Sequence, residues 1–168
     1  VLELGGNAAV MIEPDTEIND ALINRLIGGA YNHAGQVCIS VQRILVHQQI
    51  YTEVKEKLLA KLKTIKAADP NLSTTLVGPM IKEAEAKRLK KWLDKALKKD
   101  AKILIGGELN GVMFAPTLLE NVDHSLEIYR DEAFGPVAIL EAYADFESGI
   151  ACINRSRFGL QAGVYTQN

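Results

Sequence analysis

Short apolar runs alternate with longer amphipathic stretches along the chain. The apolar runs predict buried strands, and these cover residues 8–12, 43–46, 102–105, 117–120, 137–142 and 161–165. The amphipathic stretches predict helices from about residue 15 to 34, from 51 to a stop at 69–71, from 81 to 99 and from 146 to 155, with a short helix or irregular segment at 129–134. This alternation is typical of an α/β fold.

The first predicted helix leads into a loop that carries a cysteine. Ile18, Leu22 and Leu26 form its apolar face, and Asp15 or Thr16 is a suitable N-cap. Two adjacent glycines, Gly28 and Gly29, lie near its end, where they indicate either close packing or space kept open. Gly35 ends the helix, so Cys38 falls in the connection to the next strand.

Composition and charge narrow the class of protein. The chain has 168 residues, 48% of them hydrophobic and 24% charged, which predicts one globular domain with its own core. A net charge of −2 gives no electrostatic reason to expect nucleic acid or an anionic membrane as a partner. Two cysteines are too few for a secreted disulfide scaffold, and no apolar stretch approaches the roughly 20 residues that span a bilayer. We therefore expect a cytoplasmic protein without a membrane segment.

A carboxylate and a thiol, each beside glycines, are the main candidates for chemistry. Cys38 has Gln36, Ser40 and backbone N–H groups around it, and such donors can lower a thiol pKa or stabilise an oxyanion. Glu3 precedes the pair Gly5 and Gly6, and a tight turn can aim a carboxylate. Together they suggest a cysteine nucleophile with a separate general base. Taken singly, a cysteine is more often a small buried hydrophobe and a glutamate a surface charge.

The remaining candidates carry weaker signals. A carboxylate at Glu132, before a Gly-Pro turn, could accept hydrogen bonds from a ribose diol, although acidic residues there usually mark the end of a helix. His33 is a possible base for Cys38, but nothing directs its ring toward the thiol. Cys152 lies in an apolar helical run and is expected to be inert core. No spacing of His, Cys and Asp predicts a metal site, and the chain has neither a GxGxxG motif nor a P-loop.

Four segments, taken in order, resemble the successive motifs of the NAD(P)-dependent aldehyde dehydrogenase superfamily. They are Glu3–Asn7, Gly35–Cys38, Glu132–Pro136 and the stretch from Phe158 to Thr166, with Val77–Pro79 and Pro116–Leu118 as lesser landmarks. Each motif alone is weak, but four at suitable spacing are specific, and the similarity covers essentially the whole chain. Asn7 stands where many relatives carry Lys.

The resemblance implies a role for each candidate residue. Cys38 would attack the aldehyde carbonyl to give a thiohemiacetal, and oxidation would leave a thioester. Glu3 would be the base that activates water for thioester hydrolysis, which favours the hydrolytic branch over branches that pass the acyl group to coenzyme A. Glu132 would hold the nicotinamide ribose, Phe134 would pack beside the nicotinamide, and Gly5 would allow the cofactor to approach the backbone.

The resemblance also implies the organisation of the protein. We expect residues 1–168 to form part of a three-layer α/β/α catalytic domain, truncated at both ends and without the cofactor-binding domain. The cofactor would be NAD or NADP, the substrate a small aldehyde, and the whole protein a homodimer or homotetramer. We expect the chain alone neither to bind NAD(P) tightly nor to turn over aldehyde.

Two rival functions stay open at this point. One is a cysteine-dependent acyl hydrolase with His33 as its base, and the other is a non-catalytic α/β module with an incidental thiol. For the substrate, Ser40 and Arg43 near Cys38 suggest an anionic or hydroxylated aldehyde, unless Arg43 simply faces solvent.

Overall fold

Thirteen regular elements make up the chain. A computed structural model describes all residues, 1–168. Its strands and helices, in chain order, are β1 (Ala8–Ile12), α1 (Asp20–Tyr31), β2 (Val41–His47), α2 (Tyr51–Leu62), α3 (Glu83–Leu97), β3 (Lys102–Ile105), β4 (Leu109–Asn110), β5 (Met113–Phe114), β6 (Thr117–Glu120), α4 (Glu127–Arg130), β7 (Val137–Tyr143), α5 (Phe146–Asn154) and β8 (Ala162–Tyr165).

The centre of the fold is a six-stranded sheet in the order β3-β6-β7-β2-β1-β8. Every neighbouring pair is parallel except β3 and β6, which are antiparallel at one edge. α1 and α2 pack on one face of the sheet, and α3, α4 and α5 pack on the other. The expected three-layer α/β/α architecture is confirmed.

Burial on both faces explains the apolar strands. All five residues of β1 are buried, as are six of the seven in β2, because helices cover each side of a parallel sheet. The helix termini follow local rules as well. The side chain of Asn19 accepts a hydrogen bond from the Leu22 N–H at the start of α1, and Asp145 forms a capping box with Ser148 at the start of α5.

Three predicted boundaries were wrong. α1 begins at Asp20 rather than near Asp15, since Asn19 provides the cap, and it stops at Tyr31 because a left-handed turn follows. α2 ends at Leu62, well before the stop predicted at 69–71. Between β3 and β6 the chain also forms the β4–β5 hairpin, which the strand pattern did not predict and for which Asn110-Gly111 is a local signal.

None of the helices is both long and apolar enough to cross a membrane.

Candidate active site

All four motifs precede a strand, and those strands are neighbours in the sheet. Residues 3–7 lead into β1, 35–38 into β2, 132–136 into β7 and 158–160 into β8. Since β7, β2, β1 and β8 are adjacent and parallel, their amino ends meet at one edge of the sheet. The topology therefore gathers four segments that are far apart in sequence around Cys38.

A left-handed turn delivers Cys38 to this edge. His33, Ala34 and Gly35 have φ angles of 50°, 55° and 66°, so three consecutive residues occupy the left-handed region. Non-glycine residues adopt this conformation at a cost of order 1–3 kcal/mol each, which surrounding contacts must offset. The turn ends α1 abruptly and leaves Cys38 half-buried in the loop before β2.

Glycines allow the motif backbones to touch. A Cβ atom on Gly6 would overlap the carbonyl oxygen of Cys38, and one on Gly35 would overlap the carbonyl oxygen of Gly135. Only glycine fits such close approaches. The Cys38 loop is thus held between the segment before β1 and the segment before β7 through its main chain.

Glu132 links two of the motifs directly. Its Oε1 accepts a hydrogen bond of 2.7 Å from the Gly6 N–H. A Cβ on Gly5 would lie 3.0 Å from Cε1 of Phe158 and 3.4 Å from the second carboxylate oxygen of Glu132. Gly5 therefore lies against the Glu132 carboxylate and the Phe158 ring.

Buried polar side chains hold the loop that carries Glu132. Gln42 donates to the carbonyl oxygens of Ile128 (2.9 Å) and Asp131 (2.8 Å) and accepts from the Ala133 N–H (2.9 Å). Asn7 donates to the Tyr129 carbonyl at 2.9 Å. These bonds satisfy backbone groups that would otherwise be costly to bury.

Arg88 and Gln36 complete the support. Arg88 donates to the Ala133 carbonyl at 2.7 Å, and Gln36 bridges the Pro79 carbonyl (3.2 Å) and the Ile81 N–H (2.7 Å). Sequence reasoning missed Gln42 and Arg88 and gave Asn7 no role. The available signal was Gln42 itself, which forms with Arg43 a polar pair at the start of a buried strand.

Two clefts lie beside residues 132–136, the segment before β7. One of about 930 Å³ is lined by residues that include Gln36, Val37 and Phe134. The other, of about 650 Å³, is lined by Glu132, Phe134, Phe158, Trp92 and four polar or charged neighbours. Phe134 lines both clefts, is 40% exposed and has a φ of 48°, in the left-handed region, immediately before the Gly135-Pro136 turn.

The predicted catalytic pair is only partly assembled within this chain. Gly6 lies against Cys38, but Glu3 is exposed and forms no hydrogen bond or ion pair. The Cys38 N–H also donates no hydrogen bond within the chain. His33 is exposed and forms hydrogen bonds only through its backbone, so no contact joins its ring to Cys38.

The substrate role suggested for Ser40 and Arg43 was wrong. Arg43 is 1% exposed and donates to the carbonyl oxygens of Cys152, Asn7 and Ile153, so it neither faces solvent nor lies free beside the thiol. Ser40 donates toward the α1 backbone.

Cys152 is buried, as expected, and loss of solvent raises the pKa of its thiol. No group of three or more His, Cys, Asp and Glu side chains is placed to hold a metal ion.

The family model described as "Aldehyde dehydrogenase family" matches residues 1–168. The chain belongs to the aldehyde dehydrogenase family. Among curated relatives, it is 39% identical over 167 residues to 3-sulfolactaldehyde dehydrogenase of Priestia aryabhattai and 36% identical over 167 residues to aspartate-semialdehyde dehydrogenase 1 of Pseudomonas canavaninivorans. Each alignment covers 99% of this chain and 35% of the relative, so the chain spans about a third of the length of these aldehyde dehydrogenases.

Solved aldehyde dehydrogenase structures agree with the fold. Aldehyde dehydrogenase 21 from Physcomitrella patens, in complex with the reaction product succinate, superposes with a TM-score of 0.95 at 38% identity over 99% of this chain and 34% of that one. Betaine aldehyde dehydrogenase from Staphylococcus aureus, in complex with NAD⁺, gives 0.91 at 30% identity with the same coverage.

Proposed function

We propose that the complete protein oxidises a small aldehyde to a carboxylic acid with NAD or NADP, and that Cys38 is its nucleophile. The observation that carries this proposal is the meeting of four motifs around Cys38 at one edge of the sheet, in a member of the aldehyde dehydrogenase family.

Cys38 begins the reaction. Its thiolate sulfur forms a bond to the aldehyde carbon while the carbonyl π electrons move to oxygen, giving a thiohemiacetal. The free N–H of Cys38 is available to stabilise the developing oxyanion. The Cys38 thiol is half-buried and forms no disulfide, so its sulfur is available to react.

Glu3 acts after oxidation to the thioester. Its carboxylate takes a proton from water, the hydroxide attacks the acyl carbon, and the carbon–sulfur bond breaks to release the acid and restore the Cys38 thiolate. Support comes from its exposed, unpaired carboxylate and from the contact of Gly6, three residues later, with Cys38.

The cleft around Glu132 suits a nicotinamide ribose. Glu132 uses Oε1 for the Gly6 N–H, which leaves Oε2 for a hydroxyl donor, and Phe134 offers an exposed aromatic face. When bound, NAD(P) supplies the hydride acceptor. We propose that Gly5, whose lack of a side chain also accommodates the Phe158 ring, lets the cofactor approach the backbone.

The proposed class of substrate rests on the names of the relatives and on the ligand in one solved structure. Two of the relatives are named for aldehydes with an anionic group, and one solved structure contains the reaction product succinate. We propose a small aldehyde substrate and would test those with a distal sulfonate or carboxylate first.

The deciding experiment combines steady-state and burst kinetics of the complete protein. Cys38→Ser should abolish turnover. Glu3→Gln should keep the burst of NAD(P)H and slow steady-state turnover about 100-fold or more, the usual weight of a general base. His33→Ala serves as the control and should stay within about threefold of the original rate.

Two results would favour the rival functions. Acylation of Cys38 by esters without nicotinamide, lost in His33→Ala, would indicate an acyl hydrolase. Reaction of Cys38 with iodoacetamide no faster than free cysteine, together with no dehydrogenase activity of the complete protein, would indicate a non-catalytic module.

We also propose that residues 1–168 are a partial catalytic domain and do not turn over aldehyde alone. The complete protein would work in the cytoplasm as a homodimer or homotetramer. Robust dehydrogenase activity of the 168-residue chain, or a monomeric mass by light scattering for the complete protein, would contradict these statements.

A further inference from the structure

A polar cleft of about 370 Å³ has none of Cys38, Glu3 and Glu132 in its lining, and it shares Asp131 and Arg157 with the cleft around Glu132. Only one of its nine lining residues is hydrophobic, and four of them are arginines: Arg43, Arg130, Arg155 and Arg157. None of these four arginines has a role in the steps proposed for aldehyde oxidation.

The most buried of these arginines carries a charge that no acidic side chain balances. Arg43 is 1% exposed, and its guanidinium donates to three backbone carbonyls at 3.1, 3.3 and 3.4 Å. No carboxylate lies within 4.0 Å of it, and its Nε finds no acceptor in the chain. A buried charge without a counter-charge is costly, so an anion nearby would be stabilising.

The other charges in the lining add to this excess. Asp131 is the one acidic residue there, and it pairs with Arg157 at 2.8 Å and with Arg130 at 3.7 Å. Arg155 is exposed and has no acidic partner. His124 also lines the cleft, and its Nε2 lies 2.9 Å from Glu141 Oε1, which places a second carboxylate beside the lining. Four arginines still outnumber these two carboxylates.

We propose that this cleft binds a small oxyanion of the sulfate or phosphate class. Arg155 and Arg157 present planar guanidinium groups that can form paired hydrogen bonds with such an ion. Arg43 supplies a fixed positive charge from the buried side of the cleft. Asp131 competes with the ion for Arg157.

Calorimetric titration of the complete protein with sodium sulfate, at constant ionic strength set with sodium chloride, tests the proposal. We expect saturable binding with a Kd of about 1 mM. Arg155→Gln should raise this Kd about tenfold, because a charge-assisted contact is lost. Asp131→Asn should lower it about threefold, because Arg157 is released from its partner.

The control is Lys91→Gln, which removes the same charge from an exposed position on α3, outside the cleft. It should change the Kd by less than about twofold. If Arg155→Gln impairs folding, Arg130→Gln provides the same comparison. The proposal is wrong if sulfate gives no saturable heat at about ten times that concentration, or if Lys91→Gln weakens binding as much as the cleft variants do.

Discussion

The two cysteines lie in regions that are built by different means. Around Cys38, backbones approach one another directly through glycines such as Gly6, and the thiol itself makes no hydrogen bond. Cys152 is 7% exposed, and its sulfur lies 3.2 Å from the Tyr129 hydroxyl and 3.9 Å from Glu141.

The two thiols therefore differ in what holds them: backbone contacts hold Cys38, whereas contacts to the sulfur itself hold Cys152. Main-chain contacts fix where Cys38 sits without occupying its sulfur, which leaves the thiol available to an incoming carbon. Side-chain contacts fix Cys152 through the sulfur, and burial raises the pKa of its thiol. The Cys38 sulfur is therefore available for reaction, whereas the Cys152 sulfur is occupied by contacts within the fold.

The largest effect should come from closing the contact at Gly6. In Gly6→Ala the new methyl group overlaps the Cys38 carbonyl, so the loop must move. We expect turnover by the complete protein to fall by at least about 100-fold and unfolding free energy to fall by about 3 kcal/mol. Kinetics and urea denaturation measure the two effects.

Gly159→Ala is the matched control for this change. Gly159 lies in the motif before β8, and an added Cβ there meets nothing within 4 Å. The unfolding free energy of Gly159→Ala should differ from the original value by less than about 0.5 kcal/mol. Equal losses in both variants would show that the overlap at Gly6 does not control the loop.

The next largest effect should be a difference in the rates at which the two cysteines react with a thiol label. At pH 8 we expect iodoacetamide to modify Cys38 at least about tenfold faster than Cys152, because only the thiolate reacts and burial keeps Cys152 protonated. Because the folded pKa of Cys152 lies above the unfolded value, the neutral thiol stabilises the fold below the ordinary pKa. That contribution is lost as pH rises through the folded value. Peptide mass spectrometry against time gives both rates, and equal rates would remove the distinction between the regions.

A smaller effect should follow from Tyr129→Phe. The lost hydroxyl donates to Glu141 at 2.7 Å and contacts the Cys152 sulfur, so the unfolding free energy should fall by about 1–2 kcal/mol. Urea denaturation measures the loss. Tyr165→Phe is the control, since Tyr165 forms hydrogen bonds through its backbone and not through its hydroxyl. The unfolding free energy of this variant should lie within about 0.5 kcal/mol of the original value. If the two variants lose the same amount, the Tyr129 hydroxyl does not stabilise the Cys152 region.

The smallest effect concerns the paired glycines at the end of α1. A Cβ on Gly28 meets nothing within 4 Å, so Gly28→Ala should raise the unfolding free energy by up to about 1 kcal/mol. A Cβ on Gly29 would lie 3.0 Å from Val41 Cγ2, so Gly29→Ala should gain less or lose stability. Thermal unfolding compares them, and a larger gain at Gly29 would contradict the packing.

Much of the fold followed from patterns that act locally. β1, β3 and β6 were predicted with their observed bounds, because each is a short apolar run bounded by turn residues. The end of α1 was not, because its left-handed turn depends on contacts between Gly35 and Gly135, which are 100 residues apart.

The site, too, was only partly predictable from the sequence. Motif order pointed to Cys38, Glu3 and Glu132, whereas the supporting bonds of Gln42 and Asn7 depend on which strands become neighbours. Arg43 is the clearest example of a residue whose role could not be predicted from the sequence. In the sequence it is a charge at a strand start, and only the packing of α5 against the sheet turns it into a buried donor to the Cys152 carbonyl.

The hydrogen bond from Gly6 to Glu132 has a consequence for the order of folding. Its partners are separated by 126 of the 168 residues, so it forms only after the chain has closed a loop of about three quarters of its length. Contacts of such sequence separation are associated with slow folding. We therefore expect the surroundings of Cys38 to assemble slowly, and the thiol of a newly made chain to stay unshielded until β7 joins the sheet.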